Sequence, residues 1–360
     1  MDSTRDDLIR YLKQISHILL SPTGVREDQA TALRAMHAMF SRITGIKGAI
    51  DSRSEGFETR LKSGLALSPG YAADCLLDTV RTVKYVQALD LAIQKMQDDF
   101  PDQRIDILYA GTGPFAPFAL AMIGRYAPEE IRFTALDIHL RSLDALEKIV
   151  AALALEDYFG AYIQCDATEY THDAASPPHI VITETMHRTV TREPHAAITL
   201  NLAPQLMDGG VFIPERVTVD ASMSDTEREV AYLEGRLSHA EIRKTRIDMG
   251  TIFELSRDAA LEYTEDGTGL VCGTVTIPDG ADEKNELVLS TQLRLFGPVC
   301  LEEKESGITH PFFARDIEAL AAGDKVQFIF NLVGFPELTY KKQNNVEDVF
   351  SRLEKAAAGL

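Results

Sequence analysis

The chain has no tryptophan among its 360 residues and only four cysteines, Cys75, Cys165, Cys272 and Cys300. These lie far apart, without the spacing of a metal site or a disulfide framework, which suits a reducing compartment and gives them no redox or metal role. Basic residues are also scarce: 36 Lys and Arg against 55 Asp and Glu leave a formal charge of −19. Such a surface lacks the positive footprint that a nucleic-acid backbone requires. It favours cationic substrates, although an acidic surface is equally an ordinary solubility feature. No apolar run approaches a membrane span, and the N-terminal MDSTRDDLIRYL is too charged for a signal peptide. A cytoplasmic protein with neither nucleic-acid nor membrane partners is expected.

With 45% apolar and 25% charged residues the composition is that of a globular protein, long enough for one large or two medium domains. Leu8, Ile9, Leu12, Ile15 and Leu19 fall at helical spacing over 5–20, and Leu33, Met36, Met39 and Phe40 do so over 27–43, predicting two packing helices. His17 and His37 occur in them singly, as structural histidines do. The polar stretch 51–64 reads as a linker or a loop over a site. A long helix is expected over 72–100; its Asp78 and Arg81, taken by themselves, read as a surface ion pair.

From Arg104 the pattern changes. Strands at 105–110, 131–136, 161–165 and before Glu184 alternate with helices at 115–126 and 143–155, predicting a doubly wound parallel sheet. The turn Gly111-Thr112-Gly113 lets backbone N–H groups at a helix start approach a ligand closely. Asp137 follows Gly113 by 24 residues and ends the second strand, where a carboxylate can bond both hydroxyls of a ribose. The turn reads AGTGPFA, with Ala116 where a dinucleotide fingerprint has its third glycine. Together with Asp166 and its neighbour Ala167 after the third strand, it suits S-adenosylmethionine (SAM) as cofactor.

The stretch HIVITETMHRTVTREPH, residues 179–195, runs from an apolar strand into a loop bearing Glu184 and, nine residues later, Glu193. Two carboxylates held close raise each other's pKa, and a cation with forked N–H donors relieves that cost, a guanidinium best of all. Read alone, they are equally two solvated loop acids. After Gly210 the α/β alternation ends. Runs at 211–221, 251–255, 270–277, 287–295 and 326–333 read as strands, with turn signals such as Pro278-Asp279-Gly280 between them and a charge-rich helical stretch at 226–244.

These motifs, in this order over roughly residues 70–333, resemble the protein arginine N-methyltransferases. The resemblance implies an α/β Rossmann-like SAM-binding domain followed by a mostly β, barrel-like domain, here with an N-terminal helical extension. The implied boundaries are 1–55 for the extension, 56–214 for the SAM-binding domain with its preceding helix, and 215–360 for the substrate and dimerisation domain, with an arm near 223–245 that would form a homodimer. ETMHRTVTRE is similar to the family's double-glutamate loop, which makes Glu184 and Glu193 the guanidinium clamp and Met186 its neighbouring methionine. DTVRT resembles the family's cofactor-side helix, which makes Arg81 the ligand of the SAM carboxylate and pairs Asp78 with His310 of Gly307-Ile308-Thr309-His310-Pro311 as a dyad. Among these, Glu184, Glu193, His310 and Asp78 are the implied catalytic residues, and Arg81, Gly111, Gly113, Asp137, Asp166 and Ala167 the cofactor ligands. No metal is called for.

The departures point further. Thr185 and Pro311 stand where the family carries tryptophans, its paired tyrosines are not recognisable before Gly70, and about 50 N-terminal residues are unlike the family core. Losing large aromatics reshapes the entrance a peptide would cross, and the extra helices are expected to cover it. Free arginine or another small guanidine is therefore the expected acceptor. A protein arginine methyltransferase and a non-catalytic SAM-binding scaffold are the alternatives.

Overall fold

The computed structural model describes residues 4–48, 58–262, 269–279, 285–314 and 322–343. Helix α1 (Arg5–Leu20) starts with a reciprocal cap, in which the Thr4 hydroxyl accepts the Asp7 N–H and the Asp7 carboxylate accepts the Thr4 N–H. Helix α2 (Arg26–Thr44) stops on Gly45 at φ 81°, a left-handed position that glycine takes without strain. Leu12, Leu19, Leu33, Met36 and Phe40 from these two helices are fully buried. They belong to one core with the apolar residues of the parallel-sheet region that follows.

The stretch 51–64 lies partly outside the described residues; from Thr59 onward it forms a hairpin. Its strands are β1 (Thr59–Leu61) and β2 (Gly64–Ala66), antiparallel and three residues each. Strands this short carry no readable alternation. The helix expected over 72–100 is two helices, α3 (Pro69–Cys75) and α4 (Thr79–Asp99). The break is a capping event: Asp78 accepts the Arg81 N–H and starts α4, while Thr82 Oγ1 donates to the Leu76 carbonyl at 3.0 Å. Arg81 thereby sits in a first turn instead of mid-helix.

The sheet then builds from β3 (Ile105–Ala110), α5 (Pro117–Met122), β4 (Ile131–Asp137), α6 (Leu140–Leu153), β5 (Phe159–Gln164), β6 (Ile180–Thr183), α7 (His195–Leu202) and β7 (Val211–Ile213). Its order is β5-β4-β3-β6-β7, parallel throughout. The reversal between β4 and β6 on either side of β3 is the switch point at which open α/β sheets hold ligands. The expected alternation thus runs one strand further than Gly210: β7 pairs with β6, and all three of its residues are buried, as in a strand covered on both faces.

The rest is antiparallel. β8 (Arg216–Asp225) leads into α8 (Thr226–Leu233) and α9 (His239–Arg243), followed by β9 (Ile247–Ser256) and α10 (Arg257–Glu262). After these come β10 (Leu270–Thr276), β11 (Asn285–Phe296), β12 (Val299–Leu301), β13 (Phe312–Ala314), β14 (Lys325–Asn331) and β15 (Glu337–Gln343). They form one sheet of order β12-β11-β8-β9, with β13 also on β11, and a second of order β10-β14-β15. The sheets pack together through stacked Phe253 and Phe330, centroids 4.8 Å apart. Among the described residues their hydrogen bonds do not join them into one closed barrel. Helices α8 and α9 fold back on this half, where buried Arg246 bonds both oxygens of Glu229 (2.7 and 2.8 Å) and of Glu303 (2.7 and 3.0 Å). Among the described residues no helix is long and apolar enough to cross a membrane.

Candidate functional site

The C-terminal ends of β3, β4, β5 and β6 open onto a cleft whose empty space, open solvent at its mouth included, is about 1010 Å³. Every glycine and carboxylate of the expected site except Asp78 lines it: Gly111, Gly113, Asp137, Asp166, Glu184 and Glu193. Arg81, Ala167 and Met186 line it as well. None of its lining residues comes from the described parts of α1 and α2, so these helices are not the expected cover of the entrance; Leu61, Leu65, Ala66 and Leu67 of the hairpin region line it instead.

The glycine turn is shaped by contact. Gly111 has φ 75°, and a Cβ on it would lie 2.5 Å from Thr185 Cγ2, so neither conformation nor space admits a side chain. Asp137 braces the turn from the neighbouring strand: Oδ2 accepts the Gly113 N–H and Oδ1 the His139 N–H, both at 2.8 Å. Each oxygen keeps a lone pair for a ligand hydroxyl. Thr112 Oγ1 is buried in the same wall with no protein partner. Asp166 Oδ1 accepts both the amide and the hydroxyl of Thr168, at 2.9 and 2.8 Å, which folds the chain so that Cys165, Asp166 and Ala167 face the cleft. Orphaned polar atoms, glycines that a Cβ would fill and a braced carboxylate fit a nucleoside with an anionic tail.

Arg81 and Glu184, far apart in sequence, meet directly. Arg81 Nη1 lies 3.1 Å from Glu184 Oε2, Nε lies 3.8 Å from Asp78 Oδ2, and Nη2 donates to the Cys75 carbonyl at 2.8 Å. The second Glu184 oxygen, Oε1, is buried and accepts no well-aligned hydrogen bond. Burial raises the Glu184 pKa, and the Arg81 guanidinium and, less strongly, the Met186 backbone near the carboxylate oppose the rise. Glu193 is pushed up to about 8, chiefly by burial and next by the neighbouring Glu184 charge. One acidic oxygen of the pair is thus spent on the chain's own arginine, and what remains is an orphaned oxygen and a carboxyl that titrates near neutrality.

The loop that presents them is strained and clamped. Thr189, Val190 and Arg192 have φ of 56°, 58° and 68°, each costing on the order of 1–3 kcal/mol for residues other than glycine. The surroundings hold them there: the Thr189 amide donates to Thr291 Oγ1 at 3.0 Å, and the Arg192 amide to the Pro336 carbonyl at 2.8 Å. Met186 is buried at the loop's base.

The expected Asp78–His310 dyad is not formed. Asp78 Oδ2 accepts the Ser306 hydroxyl at 2.6 Å and the Gly307 amide at 3.3 Å, and no hydrogen bond or ion pair joins it to His310. The reason is local: Ser306 caps the 3-10 turn Gly307–Thr309, so it reaches Asp78 before the chain arrives at His310. Burial, with Arg188 and Lys304 nearby, holds the His310 pKa below its ordinary value. The S-x-x-T spacing of Ser306 and Thr309 was the sequence signal for this cap.

Two further residues belong to the site. Tyr109 lines the cleft, and Tyr85, one turn after Arg81, is fully buried with an unpartnered hydroxyl. Both rings stack on Phe118, at 5.4 and 4.9 Å, and burial followed by the Glu184 charge holds both phenols well above their ordinary pKa. A tyrosine near the end of the strand IDILYA, just before the glycine turn, was the available signal.

No protein-family model and no curated protein matches the chain. Among solved structures it is similar to the Trypanosoma brucei PRMT1 enzyme–prozyme heterotetrameric complex with AdoHcy, with 15% identity, 77% of this chain and 94% of that chain covered, and a TM-score of 0.49. It is also similar to Arabidopsis thaliana protein arginine methyltransferase 10, with 13% identity, 75% and 95% coverage, and a TM-score of 0.47. No residue role follows from likenesses this distant; the chemistry of the cleft is set by its own side chains.

Proposed function

We propose that the chain is a SAM-dependent N-methyltransferase acting on a guanidino nitrogen, with free L-arginine or another small guanidine as acceptor. The observation that carries the reading is the pairing of an orphaned, buried Glu184 Oε1 with Glu193, whose pKa is about 8, beside the glycine turn and Asp137. Two acidic groups at that place suit a planar cation with forked donors.

Bound SAM would supply a methyl group on a sulfonium. The Gly111–Gly113 turn and Asp137 would hold its nucleoside, with Asp166 and Ala167 along the adjoining wall, and Arg81 its carboxylate. A guanidinium has a pKa above about 12 and repels a sulfonium, so the protein must cancel that charge. At an effective dielectric near 20, one opposite charge at 4 Å contributes on the order of 4 kcal/mol. Glu184 Oε1 would orient one N–H edge of the guanidinium and localise positive charge away from the reacting nitrogen. The nitrogen that gains the methyl loses one proton, and Glu193 in its carboxylate form would take it. His310 has no bond to Asp78, so the acid–base role falls to Glu193 alone.

Support for a small acceptor comes from the sequence positions Thr185 and Pro311, which carry no large ring, and from the hairpin lining the cleft. The arm near 223–245 belongs to the same reading as a pairing element between two copies, with Val230 exposed on it, and sedimentation of the purified protein tests it. The chemistry is tested by mass spectrometry after incubation with methyl-labelled SAM, once with free L-arginine and once with an arginine-rich protein extract. Label on free arginine is expected. Label on protein alone overturns the small acceptor, and label on no guanidine overturns the methyltransferase.

A further inference from the structure

We infer that hairpin β1–β2 is the element that sets acceptor size: it is a strap lying across the cleft onto the Glu193 peptide, and it admits a free guanidine while excluding an arginine held within a polypeptide. The inference rests on the guanidine N-methylation reading and adds the residues that would give it small-molecule selectivity.

The strap touches three separate walls. At its base, Thr59 Oγ1 and His139 Nε2 are 3.0 Å apart, which ties it to the segment just after β4 at the nucleoside end. From the middle of its second strand, the Leu65 amide donates to the Arg192 carbonyl at 2.8 Å, on the glutamate loop itself. On its outer side, the Gly334 amide donates to the Lys62 carbonyl at 2.8 Å and the Arg60 guanidinium lies 4.6 Å from the Phe335 ring centre, both on the turn between β14 and β15. That same turn accepts the Arg192 amide through Pro336, so strap, glutamate loop and antiparallel half close on one another.

The fit is tight where it matters. Gly64 has φ 137°, and a Cβ there would lie 2.9 Å from Arg192 O and 3.0 Å from Glu193 C and Pro194 N. The strap therefore presses backbone to backbone on the residue that carries the second carboxyl, and only glycine allows that approach. Leu61 and Leu65 line the cleft, whereas Arg60 is exposed. A polypeptide flanking a target arginine would need the space this backbone fills; a free guanidine would not. Among the described residues the strap is also held by few bonds: its strands are three residues long and its clasps are single contacts, the construction expected of a segment that opens locally for exchange of ligands.

Cys75 lines the cleft and reports on closure without any need for turnover. Two variants loosen the strap from opposite ends: Gly64→Val at the tip, and Thr59→Val with Arg60→Ala at the base and outer side. With N-ethylmaleimide and peptide mass spectrometry, labelling of Cys75 is expected to be slow in the wild type and at least about tenfold faster in both variants. The ratio of methylation of an arginine-containing peptide to that of free arginine is expected to rise by about tenfold or more in the same variants. Cys75 labelling that is unchanged in both variants overturns the strap, as does faster labelling with an unchanged peptide-to-arginine ratio. A wild type that methylates no guanidine overturns the underlying reading instead, and the labelling then still decides whether the hairpin closes the cleft.

Discussion

Glu193 couples the site to pH. Its carboxyl releases its proton near pH 8 in the folded chain against an ordinary value of 4.5. Between those values the folded state holds a proton that the unfolded state has lost, so the contribution of Glu193 to stability is greatest below pH 4.5 and declines from there to about pH 8. Glu193→Gln removes this dependence and is expected to be more stable than the wild type at pH 9 by about 3–5 kcal/mol, with little difference at pH 4, as urea unfolding at both pH values would show. Binding has the opposite slope: methylguanidinium, always a cation, should bind more tightly as pH rises towards 8, and flat calorimetric affinity across that range would contradict the assignment. The two glutamates should also differ in a way their sequence spacing does not disclose. Both Gln variants are expected to lose about a hundredfold or more in turnover. Only Glu184→Gln should alter SAM affinity as well, because Glu184 is the ion-pair partner of Arg81 at 3.1 Å. Spacing and resemblance brought Arg81, Glu184 and Glu193 to attention one by one, but the contact between the first two is made by tertiary packing, which no local pattern carries.

At the scale of elements, Asp78 is a joint more than an acid. It caps α4, accepts from Ser306 across the interface with the antiparallel half, and flanks Arg81. Asp78→Ala is expected to cost about 1–2 kcal/mol through loss of the cap and to weaken SAM binding by displacing Arg81; His310→Ala should leave SAM binding unchanged. An effect of His310→Ala as large as that of Asp78→Ala, by calorimetry, would restore the dyad. Strongly periodic helices such as α1, α2 and α6 were legible in the sequence. The break at Leu76–Asp78 was not, because apolar residues continue across it at helical spacing and only the cap ends the helix. The run 211–221 reads as one strand beyond the α/β alternation, whereas it holds β7 on the parallel sheet and the start of β8, because a short, fully apolar run reads alike in either sheet; β1, β2 and β15 are defined by partners instead of by their own pattern. Arg246 shows an element held by charge: Arg246→Met leaves Glu229 and Glu303 buried without their cation and should destabilise the fold by about 3–5 kcal/mol, with SAM affinity per folded molecule unaltered.

Across the whole molecule, the N-terminal helices serve the cleft from behind. Phe40 and His37 of α2 lie 5.7 and 5.4 Å from the ring of Phe115, which stands two residues after Gly113 and precedes Ala116, the left-handed residue that starts α5. His37 is in turn held by Asp74 of α3 at 3.1 Å. The extension thus contacts the cofactor side through two routes, one ending beside the glycine turn and one at the helix before Arg81, while its described residues contribute no side chain to the cleft wall. A mere appendage would be removable without consequence at the site; a buttress would not. Phe40 is fully buried, so Phe40→Ala should cost about 3–5 kcal/mol by urea unfolding, the range for deleting a core aromatic. It should also weaken SAM binding under conditions where the variant remains folded, because the space it leaves lies against Phe115 and frees the Gly111–Gly113 turn to relax. Lost stability with unchanged SAM affinity would make α2 a packing element alone, whereas loss of both would place the control of the cofactor turn some distance behind the residues that touch the cofactor.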